Sequence, residues 1–207
     1  THVTIVFNHA SYEGGGMYLS SSWAILSHVT ISNNTAYRSG GGMYVYGYPT
    51  LTYVTISNNY VNNFAGGGIF IYFSNPILNH VTITNNTADS GGLAVLQKGG
   101  GMHLYHSHPI LNHITIANNT ANIGGGMALD SSDPILTNSI HWGNSPESIS
   151  IYSGTPLITY SDIEGSWNGE GNINSDPQFS DSENGNYTLM ENSPCIDTGI
   201  ILEDMEY

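Results

Sequence analysis

Few residues in this chain have chemistry to offer, and most of them recur at regular places. Histidines stand at His2, His28, His80 and His113, with Tyr53 in the equivalent position, and His103-x-x-His106-x-His108 adds a local cluster. Imidazoles on neighbouring copies of a repeat can hold a transition metal, or they can pack at a corner. No carboxylate recurs beside them. Acidic groups gather late, at Asp162, Glu164, Asp176, Asp181, Glu183 and the Glu203-Asp204-Glu206 end. Asp181-x-Glu183-x-Gly185 offers oxygen ligands of the kind calcium takes, without the full calcium-loop pattern, and a solvated acidic loop explains it as well. No cofactor is therefore expected, with calcium as the alternative. Arg38 and Lys98 are the only cationic candidates for a base, and both stand beside turns. Repeat positions yield no Ser/His/Asp arrangement and no glycosidase carboxylate pair.

The strongest pattern is aromatic. Gly triplets precede Met-Tyr-Leu, Met-Tyr-Val, Ile-Phe-Ile, Met-His-Leu and Met-Ala-Leu. With Met and Leu inward, the outward positions are Tyr18, Tyr44, Phe70, His103 and Ala128, then Ser20, Tyr46, Tyr72, Tyr105 and Asp130. Stacked about 4.8 Å apart, these make two neighbouring columns of rings. Rings in such columns can stabilise one another. They can equally form a strip for a neutral glycan or a protein surface. The candidate binding residues are Tyr18, Tyr44, Tyr46, Phe70, Tyr72, His103 and Tyr105. A second array, Thr4, Thr30, Thr55, Thr82 and Thr115 with Ser32, Ser57 and Thr84, resembles the threonine ladders of ice-binding proteins, but Val6 and Ala117 interrupt it.

The elements that must position these residues are repeats. Pro76 to Ala88 and Pro109 to Ala121 differ only at Val81/Ile114 and Thr84/Ala117. Val3, Val29, Val54, Val81 and Ile114 mark further copies at steps of 26, 25, 27 and 33 residues. Val-Thr-Ile alternates with the period of a half-buried strand, as does the segment after each Gly triplet, and Pro-Ile-Leu makes a third short run. Asn pairs and Gly triplets supply the turns. A unit of this size cannot form a sheet alone, but stacked on its copies it closes three parallel sheets around a narrow apolar core. The expected fold is all-β, a parallel β-helix (β-solenoid) of about six rungs over residues 1–142, with a C-terminal cap over 143–207.

Composition narrows the partners. The 207 residues carry 2 Lys+Arg against 16 Asp+Glu, a formal net charge of -14, which disfavours nucleic acid, anionic membranes and acidic polyuronates. Cys195 is the sole cysteine, so no internal disulfide forms. No apolar run approaches a transmembrane helix, so no membrane insertion is expected. The sequence opens mid-motif without a signal peptide and reads as a piece of something longer. An uncovered first rung, with Val3, Ile5, Met17 and Leu19 at its edge, invites upstream rungs or head-to-tail self-association into filaments.

Gly41-Gly42-Met43, Gly67-Gly68-Ile69 and Gly125-Gly126-Met127, paired with Ile31…Asn34, Ile56…Asn59, Ile83…Asn86 and Ile116…Asn119, resemble the right-handed parallel β-helix repeats of bacterial surface proteins of the polymorphic outer-membrane-protein type, which implies a right-handed coil. Asn138 to Asn144, Asp176 to Phe179 and Ser193 to Gly199 resemble the closing segments of large secreted bacterial β-helix proteins. The resemblance implies an extracellular or cell-surface protein. Its scaffold hosts adhesins, structural fibres and polysaccharide lyases alike. The lyases hold calcium with strand-face acids and use Arg or Lys as base, whereas the first-strand outward positions here are Thr and Ser. A non-catalytic adhesive or structural role is favoured. A pectate-lyase-like carbohydrate-active enzyme is the alternative, and ice binding the third reading.

Overall fold

The computed structural model describes residues 2–89 and 98–202. Among them the chain forms parallel sheets of eleven, six and four strands, and one two-stranded antiparallel hairpin. Each copy of the repeat pairs in register with the next: Val29 with Val54, Ile31 with Ile56, Ile83 with Ile116, Met43 with Ile69. Five strands follow the Gly triplets and Ile149–Ile151 adds a sixth to their sheet, which gives about six turns of a parallel β-solenoid. No helix among the described residues is long and apolar enough to cross a membrane.

The inward assignments hold. Ile31, Ile56, Ile83 and Ile116 form one fully buried column, and Leu51, Leu78 and Leu111 form another. Met43, Ile69 and Met102 face them from the third wall, backed by Val45, Ile71 and Leu104. Burying each such side chain is worth about 1.5–3 kcal/mol, so the interior is where the repeat gains its stability. The Pro-Ile-Leu run does not make a sheet of its own. A left-handed residue (His28, Tyr53, His80 or His113, φ between 52 and 56) turns the chain between it and the Val-Thr-Ile run. Ile25–Ser32 and Thr50–Ser57 are continuous strands through that bend, so the two walls share the eleven-stranded sheet. A separate narrow sheet of Thr35–Ala36-type strands occupies the corner, over Ala36, Val61 and Ala88.

The Asn pairs divide their labour. The first of each pair, such as Asn58, takes a left-handed φ of 56 at the surface. The second points into the solenoid and is buried. The Gly triplets divide similarly. Gly40 adopts φ 64, whereas a Cβ on Gly42 would lie 2.7 Å from the Gly68 carbonyl oxygen of the next rung. Gly42→Ala is therefore expected to cost about 1–3 kcal/mol, measured by chemical denaturation, because backbone cannot move aside as a side chain would.

The stacking does not stop at Trp142, where the boundary between rungs and cap was expected. Ile149–Ile151, Leu157–Thr159 and Asp162–Ile163 add a further copy to the walls. The register there is carried by Ile and Leu even though the Gly triplet has lapsed, and Asn144 still continues the buried Asn positions. Beyond it, Trp167 packs against the end of the core. The hairpin of Phe179–Asp181 and Asn186–Leu189 then folds back over the outside of the Val-Thr-Ile wall. Tyr187 Oη accepts hydrogen bonds from Asn85 Nδ2 and Asn118 Nδ2, each 3.1 Å.

Candidate functional site

The rings do form columns. Tyr18 stacks on Tyr44 at 4.9 Å and 4°, Tyr44 lies 5.4 Å from Phe70, and Phe70 lies 5.0 Å from His103. One step outward, Tyr46, Tyr72 and Tyr105 follow at 6.3 and 5.4 Å, the last two nearly parallel at 13°. Parallel in-register pairing puts equivalent side chains one above another, which is why spacing in the sequence becomes a continuous strip.

The two columns differ in exposure, which alternation alone did not reveal. Tyr44, Phe70 and His103 lie outside the solenoid core yet are buried, Tyr44 and Phe70 forming a small second cluster with Ala65. Phe64, Tyr72 and Tyr105 pack over it. Burial, with Glu13 nearby, pushes the Tyr44 phenol up. Of the seven candidate residues, Tyr18 and Tyr46 are openly exposed, Tyr72 and Tyr105 are half-buried, and Tyr44, Phe70 and His103 act as a platform beneath. Phe73 and His106, which the strand pattern did not single out as part of the strip, join its edge at left-handed positions with rings 4.7 Å apart and parallel within 6°.

At one end the strip meets a charged cluster. Asp130 continues the outward column in register with Tyr105. Lys98 Nζ donates to Asp130 Oδ1 at 3.1 Å and to Oδ2 at 2.9 Å. His103 Nε2 lies 2.9 Å from Oδ2. Burial pushes the His103 imidazole down, against the pull of Asp130, and with a carboxylate as partner Nε2 is the donor. Its Nδ1 is buried without a hydrogen-bond partner among the described residues. Burial works to raise Asp130, but His103 and Lys98 outweigh it and hold the carboxyl below its ordinary range. Lys98 also sits 4.9 Å from the centre of the Tyr152 ring. Phe64, Lys98, Tyr105, His106, Asp130 and Tyr152 line a cleft of about 290 Å³ over this cluster.

Lys98 is not merely beside a turn. It bridges Ala65 and Ile123, in a column that begins at Glu13 and Ser39. The signal available in the sequence was its place directly before a Gly triplet, one copy above the only carboxylate of the outward column.

The other candidates resolve differently. The His column stacks at the left-handed corner, with Tyr53 5.0 Å from His80 and His80 4.6 Å from His113, both pairs nearly parallel. Of the local cluster, His103 turns to Asp130, His106 stacks on Phe73, and His108 Nδ1 accepts from the Asp133 backbone. Among the described residues no group of three or more His, Cys, Asp or Glu is placed to hold a metal ion. Asp181 caps a short 3-10 turn by accepting from Asn184. Glu203, Asp204 and Glu206 lie outside the described residues. The middle of the Thr array faces the hairpin, whose Gly185–Thr188 segment lies beside Thr55, Thr82 and Thr84. Arg38 has no ion-pair partner among the described residues.

The model of the family described as the right-handed β-helix region matches residues 1–121. No curated protein and no solved structure matches the chain.

Proposed function

The chain belongs to the right-handed β-helix family, and from that scaffold we propose a non-catalytic, exported cell-surface or matrix protein that binds neutral glycan along its aromatic face. The observation that carries this reading is the run of Tyr46, Tyr72 and Tyr105, parallel to the solenoid axis and open to solvent along one side. A flat row of rings offers apolar faces to the C–H faces of sugars, and phenol hydroxyls at the edges offer hydrogen bonds. The buried platform of Tyr44 and Phe70 fixes the row in place, so little side-chain entropy remains to be lost on binding. A charge of -14 turns away polyuronates and leaves neutral chains.

The lyase alternative draws less support. Lys98, the cation a lyase would need as base, is held in an ion pair with Asp130 instead of standing free, and His103 is 1% exposed. The aromatic reading is tested by affinity electrophoresis on neutral and acidic polysaccharides. Tyr18→Ala with Tyr46→Ala is expected to weaken retention by neutral polysaccharide about tenfold, roughly 1.4 kcal/mol, while the melting temperature falls by only a few degrees because both rings are exposed. Unchanged retention, or turnover of any polysaccharide that depends on Lys98, would overturn it.

A further inference from the structure

The cluster at the end of the strip has hydrogen-bonding capacity left over. Lys98 donates two N–H groups to Asp130 and keeps a third. Among the described residues Asp130 Oδ1 accepts only from Lys98, which leaves it a lone pair, while Oδ2 is shared between Lys98 and His103. A donor and an acceptor therefore lie side by side, fixed by an ion pair and by a buried imidazole. Neighbouring hydroxyls of a sugar ring present the complementary pair, because each hydroxyl both donates and accepts. The aromatic side of the cleft is equally defined. Tyr105 continues the strip, and Tyr152, 83% exposed, is placed beside the Lys98 ammonium.

We propose that this cleft is a subsite for one neutral hexose residue, with vicinal hydroxyls on Lys98 and Asp130 and the ring against Tyr105 and Tyr152. The proposal rests on the glycan-binding reading and adds to it a place and a ligand class. At about 290 Å³ the cleft lies just below the roughly 300–1,000 Å³ of pockets for drug-sized ligands, which suits a single ring rather than a chain. Charge selects against uronates locally as well as globally. A sugar carboxylate drawn to Lys98 meets Asp130 within hydrogen-bond reach of the same ammonium. His103 is a positioning residue: it touches no ligand and fixes which way the carboxylate faces.

The test is a nuclear magnetic resonance titration of the whole chain with methyl β-glucoside, methyl β-galactoside, methyl α-mannoside and methyl α-galacturonoside. At least one neutral glycoside is expected to shift the ring signals of Tyr105, Tyr152 and His106, and the galacturonoside to bind at least tenfold more weakly. Tyr152→Ala, at an exposed position that leaves the fold intact, should lower affinity at least fivefold. Lys98→Gln and Asp130→Asn should each lower it about tenfold, and Tyr12→Ala, exposed and outside the strip, should not change it. Neutral glycosides that bind Tyr152→Ala and Asp130→Asn as well as the parent would overturn the subsite and leave the glycan-binding face standing. So would polysaccharide retention without any response at these three rings. Galacturonoside binding as tight as that of the neutral sugars would overturn the choice of ligand. Loss of polysaccharide retention altogether would remove the reading on which the subsite rests.

Discussion

Replacing Asn86 with leucine is expected to lower the stability of the solenoid by about 4 kcal/mol, although the side chain is of similar size and the site is fully buried. The cost comes from the partners it abandons. Asn86 Oδ1 accepts from the backbone N–H and from Nδ2 of Asn59, at 2.9 and 3.0 Å. Asn86 Nδ2 donates to Asn119 Oδ1 and to the Ile56 carbonyl. Each buried donor left without an acceptor costs about 1–3 kcal/mol, and the substitution strands the backbone N–H of Asn59 and one of its two Nδ2 N–H groups, the other still donating to the Ile31 carbonyl. The same geometry repeats from Asn8 through Asn34, Asn59, Asn86 and Asn119 to Asn144, so each amide uses both ends and polarises the next. Asn58→Gly is the control. Asn58 is exposed and left-handed, a conformation glycine adopts freely, so the expected change is within about 0.5 kcal/mol. Chemical denaturation of the two variants beside the parent decides the matter. Equal losses would mean that the buried ladder contributes no more than the surface turn.

That division of each Asn pair shows how far the sequence could be read. Val-Thr-Ile and the Gly triplets announce a stacked coil, because strand alternation at fixed steps has few other solutions. Which Asn turns inward is set by the left-handed φ of the first, and a repeated dipeptide does not display φ. The aromatic columns were legible for the same reason as the core columns, since in-register pairing preserves order. Their exposure was not. Alternation places Tyr44 and Phe70 outside the core, but whether Phe64, Tyr72 and Tyr105 then cover them depends on the rotamers of bulky neighbours. The Lys98–Asp130 pair joins residues 32 apart across a repeat boundary, and a single pair of unlike residues leaves no periodic trace. The hairpin that overlies the Thr wall comes from beyond the repeats, so no count of threonines foretold it.

His141→Ile is expected to make the protein both more stable at neutral pH and far less sensitive to acid. In register, His141 stands between Ile116 and Ile163, in the column that begins with Ile5 and runs through Ile31, Ile56 and Ile83. It is fully buried, and neither ring nitrogen has a hydrogen-bond partner among the described residues. Burial pushes its pKa down to about 4, against a weak opposing pull from the Ser148 backbone, and no charged group contributes. In the unfolded chain the same imidazole takes a proton near its ordinary value of about 6.5. Between those values the unfolded state holds more protons than the folded one, so stability falls as pH falls. The contribution is intact above about pH 6.5 and is lost progressively down to about pH 4, amounting to about 3 kcal/mol. Other groups titrate alongside it. Burial lowers His103 and, with help from His80, His113, and the net shift of Asp130 is downward, so all three add to acid lability, whereas buried Asp162, held up in pKa, opposes it. Comparing parent and variant removes these shared terms. Isoleucine suits the site because five residues above and one below in the same column are isoleucine. Urea denaturation at pH 7 and pH 4.5, followed by tryptophan fluorescence in a Trp23→Phe background so that Trp142 and Trp167 report the C-terminal rungs, gives the two stability differences. The gain of the variant over the parent should be about 2–3 kcal/mol larger at pH 4.5 than at pH 7. A gain that does not change with pH would show that the buried imidazole is protonated without penalty in the folded solenoid, and that its acid response arises elsewhere.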